Sequence, residues 1–394
     1  MNRCILTLAL LSGVTPAVSQ DDGPASLKMP FGFELTPTLD VGLAHDDNVA
    51  NTASDQVSSL LLTASPSAQL SGENGAFSLS AQFAMERGNY LDSSEDNYTD
   101  TGLDVLANLA IDKRNSIGIG AIVTRAHEAR GTGYSQGLGD LLDEPDTYSN
   151  RDGFMVYQRG SNSSRAGLEL TAGRSSLDYD GGTLTANRDR FFNYGTARFE
   201  IRIRPNSTIF SELNLRDINY DFREEGASSL DSRESDFLLG ISWENAARTN
   251  ATLRVGRGRK NFDEELRDDV SSPRWELELG WLPKTYSNFE LFSSRSAQES
   301  FGGGNYAEVT SHSIRWAHEW TRRLNTDIGY NISEWDYQGS DRFDNLDGFD
   351  ASIFYQFRRW LSAGAGISHS AQDSDAEVRT FERNITYIQL NISL

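Results

Sequence analysis

The chain has 394 residues, of which 57 are acidic and 36 basic, so its formal net charge is −21. This acidity argues against nucleic-acid binding, which requires basic surface stripes. Strong acidity is also typical of disordered chains, but the 10% aromatic content and the sustained alternation of apolar and polar residues favour a folded protein.

The N-terminus has the pattern of a secretory signal peptide. Arg3 precedes an apolar run over residues 5–11, and small residues follow as a cleavage site. This run is far shorter than the roughly 20 residues that a membrane-spanning helix needs. We therefore expect residues 1–19 to be removed and residues 20–30 to form a short lead. The only cysteine, Cys4, is removed with the signal, so the mature chain has no disulfide and no thiolate site.

From residue 31 to residue 394, apolar and polar residues alternate in about eighteen segments. Successive side chains of a β-strand point to opposite faces, whereas a helix would repeat its apolar positions every three or four residues. The alternation therefore predicts β-strands. Segments six (about 153–158) and fourteen (about 306–320) alternate poorly, so sixteen strands is an alternative. The apolar faces of strands one, ten and twelve consist of Phe33, Leu35, Pro37, Leu39, Val41 and Leu43, of Phe237, Leu239, Ile241 and Trp243, and of Trp275, Leu277, Leu279 and Trp281.

The connections favour a membrane barrel over a soluble sandwich, whose strands alternate in the same way. Short turns, such as Pro205–Ser207, alternate with longer polar segments, which is typical of a barrel with periplasmic turns on one rim and extracellular loops on the other. The sequence therefore predicts an all-β fold, a transmembrane antiparallel up-and-down β-barrel in the outer membrane of a Gram-negative bacterium. The longer segments are His45–Gln56, Leu91–Asp100, Gly131–Arg151, Asp221–Glu234, Asn261–Ser272, Gly339–Asn345 and Ala371–Glu377.

The width of such a barrel predicts a water-filled lumen. An unpaired backbone group in hydrocarbon costs several kcal/mol, so the sheet must close on itself. At roughly 16 to 18 strands the interior is too wide for side chains to fill. The predicted loop Gly131–Arg151 is long enough to fold inward and plug this lumen.

The polar faces of strands eight, nine, eleven and twelve carry arginines and glutamates. In a wide pore, such mixed charges form a hydrated wall with a transverse field. A network of salt bridges that only satisfies buried polar groups is an equally good interpretation. Three aromatic residues, Phe292, Phe354 and Tyr387, also fall on the polar side, where they can stack on sugar rings or pack in the wall. The candidate channel-lining residues are Arg198, Glu200, Arg202, Arg204, Glu212, Arg216, Arg254, Arg274, Glu276 and Glu278.

Motifs for catalysis or metal binding are weak. Asp341, Asp344 and Asp347 are spaced by three residues, whereas a calcium-binding EF-hand loop spaces its ligands by two. Ser311 and His312 lack an identifiable third residue or oxyanion donor, which makes a membrane hydrolase the least favoured interpretation. We predict no catalytic residue, no metal site and no cofactor.

A family resemblance rests on the first two strands. A strand with Pro37 runs into an Asp-Asp-Asn loop at residues 46–48, and the next strand carries Pro66. This resembles a family of outer-membrane β-barrel porins often encoded beside capsule and exopolysaccharide synthesis genes. His45 stands where the family usually has an aromatic residue before Asp-Asp-Asn, and Leu394 stands where the barrel-assembly machinery favours a terminal aromatic residue. The resemblance implies an outer-membrane barrel of about this size, with polysaccharide export as a candidate role.

Together these patterns predict a channel and not an enzyme. We expect it to export exopolysaccharide or to pass other hydrophilic solutes. The alternatives are a general diffusion porin for small solutes and a structural or adhesive surface barrel. The expected partners are outer-membrane lipid, the barrel-assembly machinery during insertion and polysaccharide export components. Nucleic acid is not expected as a partner, and we expect a monomer.

Overall fold

A computed structural model describes residues 26–160, 164–181, 184–185, 187–221, 229–245, 248–265, 267–301 and 303–393. The predicted signal peptide and residues 20–25 of the predicted lead lie outside these ranges. None of the helices in the described ranges has the length and apolar character needed to span a membrane.

Eighteen long antiparallel strands form one closed sheet in the described part of the chain. Consecutive strands pair with each other, and the last strand pairs with the first, from Ile385 opposite Asp46 to Ser393 opposite Thr38. The predicted all-β barrel of eighteen strands is confirmed, and the sixteen-strand alternative is wrong. The strands are β1 Phe33–Asp46, β2 Ser59–Asn74, β3 Phe77–Tyr90, β4 Tyr98–Ala110, β5 Asn115–Glu128, β6 Asp146–Arg159, β7 Ala166–Tyr179, β8 Arg190–Arg204, β9 Ser207–Tyr220, β10 Ser232–Asn245, β11 Thr249–Phe262, β12 Val270–Lys284, β13 Ser287–Gln298, β14 Tyr306–Glu319, β15 Leu324–Gln338, β16 Phe343–Arg358, β17 Leu361–Ser374 and β18 Phe381–Ser393.

The connections alternate in length around the barrel. Eight connections, such as residues 205–206 between β8 and β9, define a short-turn rim. The nine connections at the other end are mostly longer, such as residues 129–145 between β5 and β6, and define a long-loop rim. Strand β1 begins and β18 ends at the short-turn rim. A two-residue strand, Leu27–Lys28, precedes the barrel and pairs with β1.

Outer and inner faces separate by residue parity, because a strand turns alternate side chains to opposite faces. In β11, Leu253 and Val255 are exposed on the outer face, whereas Arg254 and Lys260 are buried. The same division holds in β10, where Phe237 and every second residue to Trp243 are exposed. The result is an apolar belt outside and a polar wall inside.

The strands are 12 to 16 residues long and extend beyond the segments that alternate clearly. The largest difference is at β6, which begins at Asp146 and not near residue 153, so part of the predicted Gly131–Arg151 loop is strand. Backbone pairing continues past the apolar belt, where both faces of a strand can be polar and the sequence pattern fades. For this reason most of the predicted loops were too long at one or both ends.

One hairpin departs from the regular wall at the long-loop rim. The β12–β13 ladder extends only to Trp275 opposite Arg295, although β13 stays paired with β14 as far as Gln298 opposite Ala307. At the start of β14, the Tyr306 ring lies 6.5 Å from the ring of Phe262 on β11. The end of the β13–β14 hairpin therefore leans over the inner face of β11 and β12.

Candidate functional site

All ten predicted lining residues lie on β8, β9, β11 and β12 at positions that alternate with the outer apolar residues. Strand alternation directs their side chains to the interior. Arg202 and Arg204 lie near the short-turn rim, where Arg202 lines a groove of about 490 Å³. The other eight lie farther along the wall.

Arg254 is the centre of the largest charge network in the described wall. Its Nη1 donates to Glu278 Oε1 at 3.0 Å and also to Glu276, and its Nε lies 3.8 Å from Glu212 Oε2. Glu212 also lies 3.8 Å from Arg198 Nη1. One arginine thus faces three carboxylates, and the predicted charges are paired with one another.

Two further groups of paired charges lie closer to the long-loop rim. Arg216 lies 3.6 Å from Glu234, which also accepts a 2.9 Å hydrogen bond from Lys260. Arg274 lies 3.6 Å from Asp236 and 3.0 Å from Glu308. Four of these residues are not among the predicted lining residues, although the even-numbered polar faces of β10 and β11 contain three of them. The missed residues are Glu234, Asp236, Lys260 and Glu308.

Aromatic rings on the inner face lie over glycines of the neighbouring strand. Phe210 is directly opposite Gly240, and a Cβ atom added to that glycine would lie 2.1 Å from the ring. The Arg198 guanidinium lies 3.7 Å from the Phe210 ring centroid. These rings therefore lie against the wall of the barrel. The same arrangement joins Tyr98 to Gly88, Phe154 to Gly120, Tyr194 to Gly173, Phe354 to Gly364 and Tyr387 to Gly366.

The connection between β5 and β6, residues 129–145, folds across the long-loop mouth; we call it the crossing loop. At its start, Arg130 is buried and donates to Asp96 in the β3–β4 loop through Nε at 2.8 Å and Nη2 at 2.6 Å. The Arg130 carbonyl accepts a hydrogen bond from Asn51 of the β1–β2 loop. These contacts fix the base of the crossing loop.

The crossing loop then reaches the opposite wall. Gln136 donates to Gln372 at the end of β17 and accepts from Arg342 of the β15–β16 loop. A Cβ atom at Gly137 would lie 3.0 Å from the carbonyl of Val378 in the β17–β18 loop. The loop therefore spans the lumen from one wall to the other.

The connection between β13 and β14 also lies inside the mouth; we call its described residues, 299–301 and 303–305, the inner loop. Glu299 accepts hydrogen bonds from Lys260 Nζ at 2.9 Å and from the Tyr220 hydroxyl at 2.6 Å. Burial raises the pKa of this carboxyl, but the nearby cations Lys260 and Arg190 lower it by a larger amount. The resulting pKa is about 2. Glu299 is therefore an ionised anchor between the inner loop and the wall.

The crossing loop and the inner loop meet inside the mouth. The Tyr134 ring lies edge-on to Phe301, with centroids 5.2 Å apart. Arg342 joins both loops, because its Nη1 donates to the Phe301 carbonyl at 2.6 Å and its Nη2 donates to Gln136. The arrangement is a wide polar barrel whose long-loop end is narrowed by two interlocked segments.

Comparison with known proteins identifies the family of this barrel. Residues 32–394 match the family model described as "Putative beta-barrel porin 2". The chain belongs to this porin family. The short-turn rim of the porin is therefore periplasmic and the long-loop rim extracellular. Porins are channels, and neither the family nor the fold is that of an enzyme.

Solved outer-membrane barrels share the fold of this porin at low sequence identity. A BenF-like porin from Pseudomonas fluorescens Pf-5 is 13% identical, with a TM-score of 0.51 over 92% of this chain and 99% of its own. OccK2 (OpdF) from Pseudomonas aeruginosa is 13% identical, with a TM-score of 0.50 over 91% and 98%. The FrpB iron transporter from Neisseria meningitidis is 11% identical, with a TM-score of 0.51 over 88% and 62%. A comparison with curated proteins gives no match.

The porin is placed in the outer membrane by its family and fold. Within the described ranges, no three His, Cys, Asp or Glu side chains are grouped so that they could hold a metal ion. Inside the barrel, the structure describes the paired charges of the wall and the two loops of the mouth.

Proposed function

We propose that this porin passes small hydrophilic solutes across the outer membrane by diffusion, through a lumen lined by the ten candidate residues. The observation that carries the proposal is the narrowed mouth, where the crossing loop and the inner loop meet at Tyr134 and Phe301. A polar wall keeps the path hydrated, while the two loops set an upper limit on solute size.

The paired wall charges support a channel for neutral as well as charged solutes. Arg254 is shared by three glutamates, and Arg198 lies close to Glu212. Charges that compensate one another produce a weaker net field along the pore than a ring of one sign. Solute size, more than solute charge, is therefore the expected basis of selection.

Export of exopolysaccharide is the second candidate, which the resemblance to capsule-associated porins implies. Arg342 and the Tyr134–Phe301 contact hold the two loops together inside the mouth. Because the joined loops narrow the path, both would have to move out of the mouth before a polymer could pass. Nothing in the wall provides an energy source, so synthesis behind the channel would have to drive the polymer.

Reconstitution tests the diffusion proposal. Purified protein in planar bilayers should give discrete conductance steps, and proteoliposomes should swell in small sugars but not in long oligosaccharides. The double variant Tyr134→Ala/Phe301→Ala should admit larger sugars, whereas Tyr134→Phe, which keeps the ring, should behave as the wild type. A barrel without conductance, both intact and with the crossing loop shortened, would overturn the proposal.

Gene deletion separates the two candidates. Loss of a diffusion porin should slow the uptake of small solutes and leave the amount of secreted polysaccharide unchanged. Loss of secreted polymer with unchanged solute uptake would establish export in its place.

A further inference from the structure

A basic patch lies on the outer face of the barrel, at the extracellular ends of β10 and β11. Arg233, Arg257 and Arg259 are exposed, while the alternating residues of β11, such as Lys260, are buried. The Arg233 side chain is 73% exposed. These arginines therefore face the surroundings of the barrel and take no part in the wall of the lumen.

Register places the patch at the boundary of the apolar belt. Arg257 is opposite Phe237 on β10, and Arg259 is opposite Ser235. One step toward the periplasm on the same face of β11 is Val255, which is exposed and apolar. Outer-face neighbours along a strand are about 6.6 Å apart, so the guanidinium groups reach the level at which hydrocarbon gives way to lipid headgroups.

The patch has more positive than negative charge. Arg257 Nε donates to the Ser271 hydroxyl at 2.7 Å, and Arg259 has no ion-pair partner in the described ranges. Arg233 lies 3.3 Å from the carboxylate of Asp217, which is itself half-exposed. Three guanidinium groups thus share one carboxylate, in a protein whose net charge is −21.

Two arginines elsewhere on the outer face, Arg125 and Arg151, are paired with carboxylates, which makes them a useful contrast. Arg125 lies 3.0 Å from Asp180, and Arg151 lies 3.4 Å from Asp178. These two arginines are exposed as those of the patch are, but each of them has a carboxylate partner.

We propose that Arg233, Arg257 and Arg259 bind a phosphate group of the lipopolysaccharide headgroup in the outer leaflet. Guanidinium groups bind phosphate through paired hydrogen bonds, which a point charge does not reproduce. The apolar residues below the patch contact the acyl chains of the same lipid, so the binding surface has both an apolar and a basic part. A free anion has no acyl chains and would not contact the apolar part. The acidic residues Asp263, Glu264, Glu265, Asp268 and Asp269 belong to the connection that follows the extracellular end of β11.

Lipid retention by purified protein tests this site. Protein refolded in detergent is mixed with phosphorylated lipid A, with dephosphorylated lipid A or with inorganic phosphate, and bound lipid is measured by native mass spectrometry. The wild type should retain phosphorylated lipid A, and the variant Arg257→Gln/Arg259→Gln should bind it about tenfold or more weakly, since each charged hydrogen bond contributes about one factor of ten. Inorganic phosphate at millimolar concentration should not compete.

Matched controls make the result decisive. The variant Arg125→Gln/Arg151→Gln removes two outer arginines that already have carboxylate partners, and it should bind lipid as the wild type does. Arg259→Lys keeps the charge, loses the planar guanidinium and should bind with intermediate affinity. All variants should keep the wild-type conductance, which separates this site from the channel. Equal loss in both double variants, or equal binding of dephosphorylated lipid, would overturn the proposal.

Discussion

Charged residues of the wall form ion pairs with residues on other strands. Arg254 on β11 is within ion-pair distance of Glu212 on β9 and of Glu276 and Glu278 on β12. Strand parity is enough to assign all four to the inner face. Their pairing depends on the register of four strands, which is set by turns between them and has no signature in the alternating pattern. The lining set was therefore predictable, but the network was not.

Arg254→Met should raise the selectivity of the channel for cations several-fold, because three carboxylates lose the positive charge that they share. The measurement is the reversal potential under a potassium chloride gradient. Arg204→Met is the matched control, since Arg204 is exposed near the periplasmic turn. Equal shifts in the two variants would contradict the central role of Arg254.

Gly240→Ala should destabilise the barrel by about 1 to 3 kcal/mol and reduce its conductance, because the added methyl group takes the space of the Phe210 ring and forces it toward the lumen. Urea unfolding followed by gel mobility gives the first quantity, and single-channel recording gives the second. Gly102→Ala is the control, because a Cβ atom at Gly102 meets nothing within 4 Å. Similar losses at both positions would show that the ring contact is not the cause.

The elements differ in how well the sequence predicts them. The strands were predictable because a period of two repeats over many residues, and β6 was the weakest because its first half is polar on both faces. The crossing loop was recognised only as long enough to fold inward. Its contacts, such as Tyr134 with Phe301, join segments more than 160 residues apart and follow no period. The inward fold of the inner loop was not predicted, because Glu299 has the sequence context of an ordinary polar loop residue.

The anchor at Glu299 gives the mouth a specific dependence on pH. The pKa of Glu299 is lowered to about 2 at the wall and returns to about 4.3 when the inner loop is released. A lowered pKa means that the anchored state has its full stability above the ordinary pKa and loses it as the pH falls toward 2. Conductance should therefore stay constant from pH 7 to about pH 5 and rise between about pH 4 and pH 2.

Glu299→Gln should abolish this acid step and give a higher conductance already at neutral pH. Glu265→Gln, at an exposed position in the β11–β12 loop, should keep the wild-type profile. Single-channel recording across the pH range measures both variants. An acid step that survives in Glu299→Gln would assign it to another group.

At the scale of the whole molecule, the barrel is held together where its first and last strands meet. Arg383 on β18 donates to Asp46 on β1 at 3.0 Å, and Asp46 is fully buried. The Tyr90 hydroxyl also donates to Asp46. Closure could be predicted from the cost of an unpaired sheet edge in lipid. The ion pair at the seam could not, because it lies beyond the alternating segments and joins residues more than 330 positions apart.

Arg383→Met should destabilise the folded barrel by about 3 to 5 kcal/mol, because it leaves a buried carboxylate without its partner. The double variant Asp46→Asn/Arg383→Met should recover part of this loss, because neither charge then remains. Urea unfolding midpoints measure both. Arg125→Met, which breaks an exposed pair, should cost less than about 1 kcal/mol. A seam variant as mild as this control would mean that closure does not depend on the pair.

The aromatic rings that lie over glycines also affect how much the current through the open channel should fluctuate. Phe210, set between a glycine backbone and the guanidinium of Arg198, has little room to swing across the current path. Flicker in an open-channel recording should therefore arise from the two loops at the entrance, and a version without them should be a quiet pore suited to detecting single molecules.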